Sequence, residues 1–490
     1  MIARNIDNDI DSIEGKLSLD ITGITCDSKT VKEGHIFIAL KGNRFDGRDF
    51  IDEAIDRGVS AVILESSKDK IIAPRKGKTF LYVRSIKNVL PQLCKVFYGD
   101  VSKSMDLIGV SGTNGKTTIT YLVESLFKSN SKEIGVIGTV NYRFGDRLIP
   151  AFNTTPGILD MYYLLSSMKK QDITNAVLEA SSHSLAQGRL DGIFFDVAIF
   201  TNLTREHLDY HKDMEDYFRS KLKLFKKLKT GGKAVINLDD EYGRRIVDDL
   251  SSDTGIKIIT YGIDKGKDVY ASNLNTSFNG LEFTVHTDKE TTKIISKLIG
   301  RHNVYNILAS FACGIALETS LEEIKKGIEA LETLPGRLER IDCGQDFLVF
   351  VDYAHTENGL QNVLESLREL NPKRLITIFG CGGDRDKHKR PNMGKVSSEL
   401  SDKVILTSDN PRSEEPMEII REIIKGIKNN KNNYIVEIDR ANAISIALEE
   451  AKKGDIVLVA GKGHETYQVF KNNTLPFDDR ETVRRNLCSQ

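Results

Sequence analysis

The chain has 490 residues, 40% of them hydrophobic and 28% charged, and its 69 basic and 70 acidic side chains leave a formal net charge of -1. The length is too great for one hydrophobic core and predicts about three domains, while the charge balance removes the overall basic field expected of a nucleic-acid binder. No apolar run approaches the ~20 residues of a membrane span, and the opening MIARNIDNDI lacks the apolar centre of a signal peptide, so the expected location is the cytoplasm.

In chain order, the first ~100 residues mix short strands, His35–Leu40 and Ala61–Leu64, with a helical pattern at Asp52–Arg57. Gly99–Ser104 is polar and predicts a turn-like linker. From Asp106 the pattern alternates, with Val- and Ile-rich strands at Leu107–Val110, Ile134–Ile137, Ala176–Leu178, Val197–Phe200 and Lys233–Ile236. Met214–Leu228 predicts one helix, because Met214, Tyr217, Phe218, Leu224, Phe225 and Leu228 form an apolar stripe. ETLPGR (332–337) breaks a helix with Pro-Gly. A second alternating set follows at Phe347–Val351, Leu375–Phe379, Lys403–Leu406, Tyr434–Ile438 and Asp455–Val459. The six cysteines (Cys26, Cys94, Cys313, Cys343, Cys381, Cys488) form no CxxC pair and predict reduced, mostly buried thiols.

The stretch LIGVSGTNGKTT (107–118) reads as a buried strand, a glycine-rich turn and the first turn of a helix. Gly112 and Gly115 let the backbone curl so that several N–H groups, Thr113 and Asn114 among them, point at one anion, and the helix adds the positive end of its dipole. Lys116 supplies a point charge for phosphate, Thr117 a hydroxyl at the usual Mg²⁺ position, and Thr118 completes the loop. Val110 stands where the strict phosphate-loop pattern has its first glycine. The fold expected is α/β throughout: a small N-terminal α/β domain (1–104), a central phosphate-loop ATPase-type domain with a parallel or mixed sheet (105–334), and a C-terminal Rossmann-like doubly wound domain (335–490).

Ligands of such sheets sit outside the carboxyl ends of the strands. There the sequence carries EASSH (179–183), TNLTREHLD (201–209), DYAH (352–355), GCGGDR (380–385), TSDNPR (407–412) and AGKGHE (460–465). Mg²⁺ wants oxygen ligands, and Glu179 is the candidate carboxylate. His207 can be a ligand, an acid–base group or a buried histidine. Lys221 falls inside the apolar stripe, where it either snorkels to the edge or is desolvated with a lowered pKa. A neutral amine there could add CO₂ and become a carbamate.

SGTNGKTT, EASSHSLAQGRLDG, TNLTREHLDYHKDMEDYFRSK, GRHNVYN, LPGRLE and VDYAHT stand in the order found in the Mur ligases, and the chain resembles that family from Asp27-Ser28-Lys29 to the GKGHET at 461–466. The resemblance implies an ATP-dependent amide-bond ligase of peptidoglycan precursor synthesis, a monomer acting on small molecules: ATP, a UDP-sugar dipeptide and an amino acid. It implies that Gly112 to Thr118 hold the ATP phosphates, that Thr117 and Glu179 hold one Mg²⁺, and that His207 with carbamylated Lys221 serves a second. Asn303, Arg337 and Asp352 would contact the nucleotide. Ser28, Thr154, Thr155, Ser181, Gln187 and Arg189 match positions that hold the UDP-sugar dipeptide. DSK for the commoner DSR, and EASSH for EVSSH, are departures that remove no side chain the chemistry needs.

The same resemblance implies the incoming amine. Asp409-Asn410-Pro411-Arg412 is the form matched to 2,6-diaminopimelate, and lysine-adding relatives lack the arginine. Diaminopimelate carries one carboxylate more than lysine, which a guanidinium can grip with two parallel hydrogen bonds. Arg385, Gly461 and Glu465 match the other amino-acid positions, with Glu465 for the ammonium. The nearest alternative is the lysine-adding ligase. Folylpolyglutamate synthetase shares the ATP core, and a different class altogether is a nucleotide-dependent switch that makes no bond.

Overall fold

A computed structural model describes residues 9–42, 45–66, 77–208, 210–251, 255–428 and 433–488. Asp209 of the TNLTREHLD segment lies outside them. The chain groups into two compact units: residues 1–106, 155–176 and 184–194 in the first, and 107–154, 177–183 and 195–490 in the second.

The first unit is built on a sheet ordered Ile10–Glu14, Thr79–Val83, Ala61–Glu65, His35–Ile38, Gly23–Thr25. Only Ile10–Glu14 runs antiparallel to its neighbour. Phe37, Val62, Leu64 and Phe80 alternate inward from three strands onto the helix Ile51–Asp56, as two-residue periodicity requires. The expected turn-like linker is instead a short helix, Val101–Ser104. Val101 is buried, and the Ser102 hydroxyl accepts the Phe194 N–H at 2.9 Å, so a polar-looking segment is held by tertiary contacts.

The second unit carries two large sheets. In one, Leu228–Asn237, Phe195–Phe200, Asp106–Ser111, Asn175–Glu179 and Gly135–Ile137 lie side by side. The pairings of Phe195–Phe200 with Leu228–Asn237 and with Asp106–Ser111 are parallel. The helices Lys116–Ser129 and Arg301–Ala316 bury Ile119, Leu122, Ile307 and Phe311 against these strands. The sheet is longer than expected: Val269–Ser277, Gly280–His286 and Thr291–Ser296 form an antiparallel meander at one end, and Asn141–Phe144 with Arg147–Pro150 a hairpin at the other. The other sheet is ordered Glu339–Ile341, Leu348–Asp352, Ile456–Ala460, Leu375–Phe379, Lys403–Leu406, Tyr434–Val436, parallel except at its first strand. Successive residues of its strands enter cores on opposite faces: Phe350 and Leu458 on one, Val349, Val351, Val457 and Val459 on the other. That is the two-sided burial of a doubly wound fold.

Two further expectations are corrected. The predicted helix Met214–Leu228 stops at Leu222; a 3-10 turn, Phe225–Lys227, follows, and Leu228 already begins a strand paired with Phe195. Strand pairing outweighs the helical periodicity of the last turn. The six cysteines are not all thiols: Cys343 and Cys488 form a disulfide, leaving Cys26, Cys94, Cys313 and Cys381 free. The pair joins the first strand region of the last sheet to the C-terminal helix Asp479–Cys488, 145 residues apart, a distance no sequence spacing reveals.

Candidate active site

The phosphate loop needs its glycines. Gly112 (φ +149°) and Gly115 (φ +89°) adopt positive φ, and added Cβ atoms would lie 1.7 Å from Thr201 Oγ1 and 2.3 Å from Asn306 Oδ1. The loop is narrower as an anion cradle than its sequence suggests. Thr113 and Asn114 spend their N–H groups on Asn202, on its carbonyl at 2.8 Å and its Oδ1 at 3.0 Å. The cradle is therefore the first turn of the helix Lys116–Ser129, whose leading N–H groups have no partner within the helix. Lys116 folds back to donate to the carbonyls of Gly112 (2.9 Å) and Thr113 (2.8 Å), and burial lowers its pKa.

Thr117 donates its hydroxyl to Glu179 Oε1 at 2.9 Å, and the Thr139 N–H reaches the same oxygen at 2.9 Å. Glu179, at a strand end, is 1% exposed. Lys221 does not snorkel. It is 1% exposed, its Nζ donates to Gly112 O at 2.6 Å and lies 4.6 Å from the Tyr217 ring centre. Burial, then repulsion from Lys116, hold its pKa well below the ordinary lysine value. His207 sits at φ +58°, with Nε2 3.8 Å from Glu206 and its ring edge-on to His183 at 4.8 Å. Both His207 and Lys221 border Tyr217, at 6.0 Å and 4.6 Å from its ring centre.

A cavity of about 580 Å³ is lined by Lys116, Glu179, His207, Asn303, Arg337 and Asp352. Thr154 and Ser181 line it too, so two of the residues expected to hold the dipeptide share a wall with those expected to hold nucleotide. Arg337 stacks on Tyr353 at 4.8 Å and approaches Thr117 Oγ1 at 3.4 Å, while its buried Nε has no hydrogen-bond partner. Asn303 donates to Ile299 O and accepts from Asn306. Asp352 spends one oxygen each on the N–H groups of Leu338 (2.6 Å) and Ala354 (2.7 Å), and burial raises its pKa. It anchors the LPGR turn first; any ribose contact must use its remaining lone pairs. In the first unit, Arg189 donates to Thr155 O at 2.8 Å and to Gln187 Oε1 at 2.7 Å, and Ser28 donates to Glu53 at 2.7 Å.

Two histidines of the cavity wall, His302 and His355, and His464 beside Tyr353 predict a pH dependence. Burial lowers His302 and His355 to about 4 and His464 to about 3, with the Arg337, Lys389 and Arg337 cations respectively adding repulsion. The unfolded chain then takes up protons near pH 6.5 that the folded chain refuses. The stability these neutral rings contribute is complete above 6.5 and is lost as the pH falls from there to about 4 for His302 and His355 and to about 3 for His464. The thermal midpoint should drop across that window and drop less in His302→Gln; equal slopes for both proteins would contradict the assignment.

The residues expected to hold the amino acid follow three neighbouring strands, Leu375–Phe379, Lys403–Leu406 and Ile456–Ala460. Arg412 is held at φ +52°, its N–H on Val469 O and its Nη1 on Gly383 O at 2.8 Å. Its Nε and Nη2 donate to nothing among the described residues. An arginine held in this uncommon backbone conformation, with donors to spare, is a candidate for binding an anion. A Cβ at Gly382 would lie 2.9 Å from Arg412 Nη1 and 3.8 Å from Arg385 Cγ, so the two arginines straddle this glycine. Arg385 itself is exposed. Asn410 donates to Glu465 Oε2 at 2.9 Å, Pro411 is buried, and Gly461 (φ +113°) places its Cβ site 3.7 Å from Asp409 Oδ2.

Several bracing contacts were not read from the sequence, even where the residues lie in its motifs. Asn202 braces the phosphate loop. Asn114 donates to Asn358 at 2.9 Å, joining that loop to the last sheet's first helix. His211 bridges Ser182 (2.9 Å) and Asp216 (3.2 Å), tying EASSH to the helix that bears Lys221. Arg440, fully buried, pairs with Asp479 and donates to Ala460 O at 2.9 Å. Among the described residues no cluster of three or more His, Cys, Asp or Glu is arranged to hold a metal, and no helix is long and apolar enough to cross a membrane.

Comparison with known proteins bears on this geometry. Residues 20–98 match the Mur ligase family catalytic domain, 110–314 the Mur ligase middle domain, and 336–463 the Mur ligase glutamate ligase domain. A UDP-N-acetylmuramoyl-L-alanyl-D-glutamate–2,6-diaminopimelate ligase of Solibacter usitatus is 44% identical over 472 residues, covering 96% of this chain and 94% of its own. A solved structure of a ligase with that same name superposes with a TM-score of 0.67 at 35% identity, covering 96% of this chain and 95% of the other. The MurF ligase of Thermotoga maritima, solved in complex with ADP, shares the fold with a TM-score of 0.66 at 21% identity, covering 95% and 97%. With matches to all three parts of its length and relatives this similar from end to end, the chain belongs to the Mur ligase family.

Proposed function

We propose that this chain joins 2,6-diaminopimelate to the γ-carboxylate of the D-glutamate in UDP-N-acetylmuramoyl-L-alanyl-D-glutamate, with ATP converted to ADP and phosphate. It acts as a cytoplasmic monomer on small-molecule substrates. Domains at 1–104, 105–334 and 335–490 carry the UDP end, ATP and the amino acid; the three matched intervals support these bounds. The observation that carries the reading is the pairing, within one compact unit, of a phosphate cradle at Lys116 with a strained Arg412 that keeps free donors.

The substrates repel each other, since a carboxylate must reach a polyphosphate, so the first step is a problem of neutralisation and alignment. The first turn from Lys116 and the Lys116 ammonium receive the phosphates, with Asn303, Arg337 and Asp352 on the nucleotide. Ser28, Thr154, Thr155, Ser181, Gln187 and Arg189 hold the UDP-sugar dipeptide. Its γ-carboxylate attacks the γ-phosphate, giving an acyl phosphate and ADP. The neutral amine of diaminopimelate then attacks the acyl carbon, and the tetrahedral intermediate expels phosphate. Arg385, Asp409, Asn410, Pro411, Arg412, Gly461 and Glu465 orient that amine.

The Thr117 hydroxyl on a buried Glu179 suits a hard cation that takes its other ligands from phosphate and water, and His207 and Lys221 flank Tyr217 close by. Two Mg²⁺, held by Thr117 with Glu179 and by His207 with Lys221, would supply charge neutralisation for the phosphates. A desolvated Lys221 beside Lys116 favours its neutral amine, the form that takes up CO₂ as a carbamate.

Incubating the protein with UDP-dipeptide, ATP and equal diaminopimelate and lysine tests the reading by product mass. The expected product is the diaminopimelate tripeptide. Equal incorporation of lysine would favour the lysine-adding relative, and ADP release with no new amide would favour a nucleotide switch.

A further inference from the structure

Lys462 has no role in the reading above, yet it is a fully enclosed cation in direct contact with Asp409, Asn410 and Glu465. It is 0% exposed, and its ammonium donates to Glu465 Oε2 (3.0 Å), Asn410 Oδ1 (3.2 Å) and Asp409 Oδ1 (3.5 Å), with the Tyr467 ring centre 5.7 Å away. A lysine is almost never buried completely unless it is paired.

The contacts fix two orientations in turn. Asn410 Oδ1 accepts from Lys462 and from the Val469 N–H at 3.0 Å, so two donors decide which end of the amide faces them. The Asn410 NH₂ must then face Glu465, and it donates to Oε2 at 2.9 Å. Glu465 Oε2 thus receives both Asn410 and Lys462, while Oε1 accepts nothing among the described residues. Charge is settled by the same residue. Asp409, Glu465 and Lys462 together carry one net negative charge, the complement of one ammonium, while Arg412 matches one carboxylate.

We infer that Lys462 is a positioning residue for acceptor recognition: by fixing the Asn410 amide and the Glu465 carboxylate and cancelling Asp409, it presents Glu465 Oε1 to the ammonium at the non-reacting end of the amino acid. This rests on the proposed diaminopimelate reading. Lys462→Met should raise KM for diaminopimelate about 10- to 100-fold, the loss of one charge-assisted contact. The KM values for ATP and UDP-dipeptide should not move. With 2-aminopimelate, which lacks the distal ammonium, Lys462→Met should cost little. The double variant Lys462→Met/Glu465→Gln should be no worse than Glu465→Gln alone. Three KM values rising together, an equal loss on 2-aminopimelate, or additive effects in the double variant would each overturn the inference. If Lys462→Met does not fold, Lys462→Gln, which keeps a donor without the charge, is measured the same way. An unmutated protein that adds no diaminopimelate sinks the parent reading; one that adds it, with Lys462→Met unchanged, sinks only this inference.

Discussion

Lys221→Ala should lose ligation by ~100- to 1000-fold, the range for removing one group that organises charge at a reacting centre, and added formate or acetate should restore part of it. The reason lies in where the amine sits. Its Nζ is enclosed against the Gly112 carbonyl and the Tyr217 ring, in the wall that carries the phosphate loop. A permanently charged lysine in that place would oppose Lys116, and burial with that repulsion depresses its pKa. A carbamate removes the conflict, because it turns a cation into an anion beside Lys116. Alanine leaves space in which a short carboxylate can supply the missing oxygens. Full activity of the alanine variant without additive would remove the carbamate from the mechanism, and a loss that no carboxylate relieves would show a packing role.

Arg412→Ala should reduce kcat/KM for diaminopimelate by roughly 100- to 1000-fold or more, while ADP formation with the UDP-dipeptide persists. A guanidinium left unpaired on binding lysine costs ~3–5 kcal/mol if the site closes over it. The structure adds a reason for rigidity. Arg412 is pinned by its N–H on Val469 O and its Nη1 on Gly383 O, so its remaining donors are presented without a search of rotamers. Lysine and diaminopimelate used equally well by the unmutated protein would refute the selectivity. Loss of ADP formation in the variant would place Arg412 in the first step instead.

Much of this arrangement was legible because doubly wound sheets put chemistry at strand ends. Leu375–Phe379 and Lys403–Leu406 were readable to the residue from their Val and Ile content, and the motifs after them fell where ligands bind. The stripe Met214 to Leu228 left Lys221 open between snorkelling and burial, and the structure buries it, although that helix ends at Leu222, where pairing of Leu228 with Phe195 takes over. The meander Val269–Ser296 was missed because its outer strands are half-exposed and carry no continuous apolar run. Nothing local marks residues 155–176 and 184–194 as part of the first compact unit, or Cys343 as the partner of Cys488. The bracing residues, Asn202, His211, Arg440 and Lys462, each rely on at least one contact far along the chain, with Thr113, Ser182, Asp479 and Asn410 respectively. Composition can nominate a group that touches substrate, but it cannot nominate the one that holds that group still.

The central claim is that ATP activates the dipeptide's own carboxylate before the amine arrives. Transfer of oxygen tests it most directly. UDP-dipeptide carrying ¹⁸O in the D-glutamate γ-carboxylate is turned over with ATP and diaminopimelate, and the phosphate and the tripeptide are weighed by mass spectrometry. The account predicts one ¹⁸O in each phosphate released and the other retained in the new amide. Phosphate free of ¹⁸O, with amide formed, would contradict it.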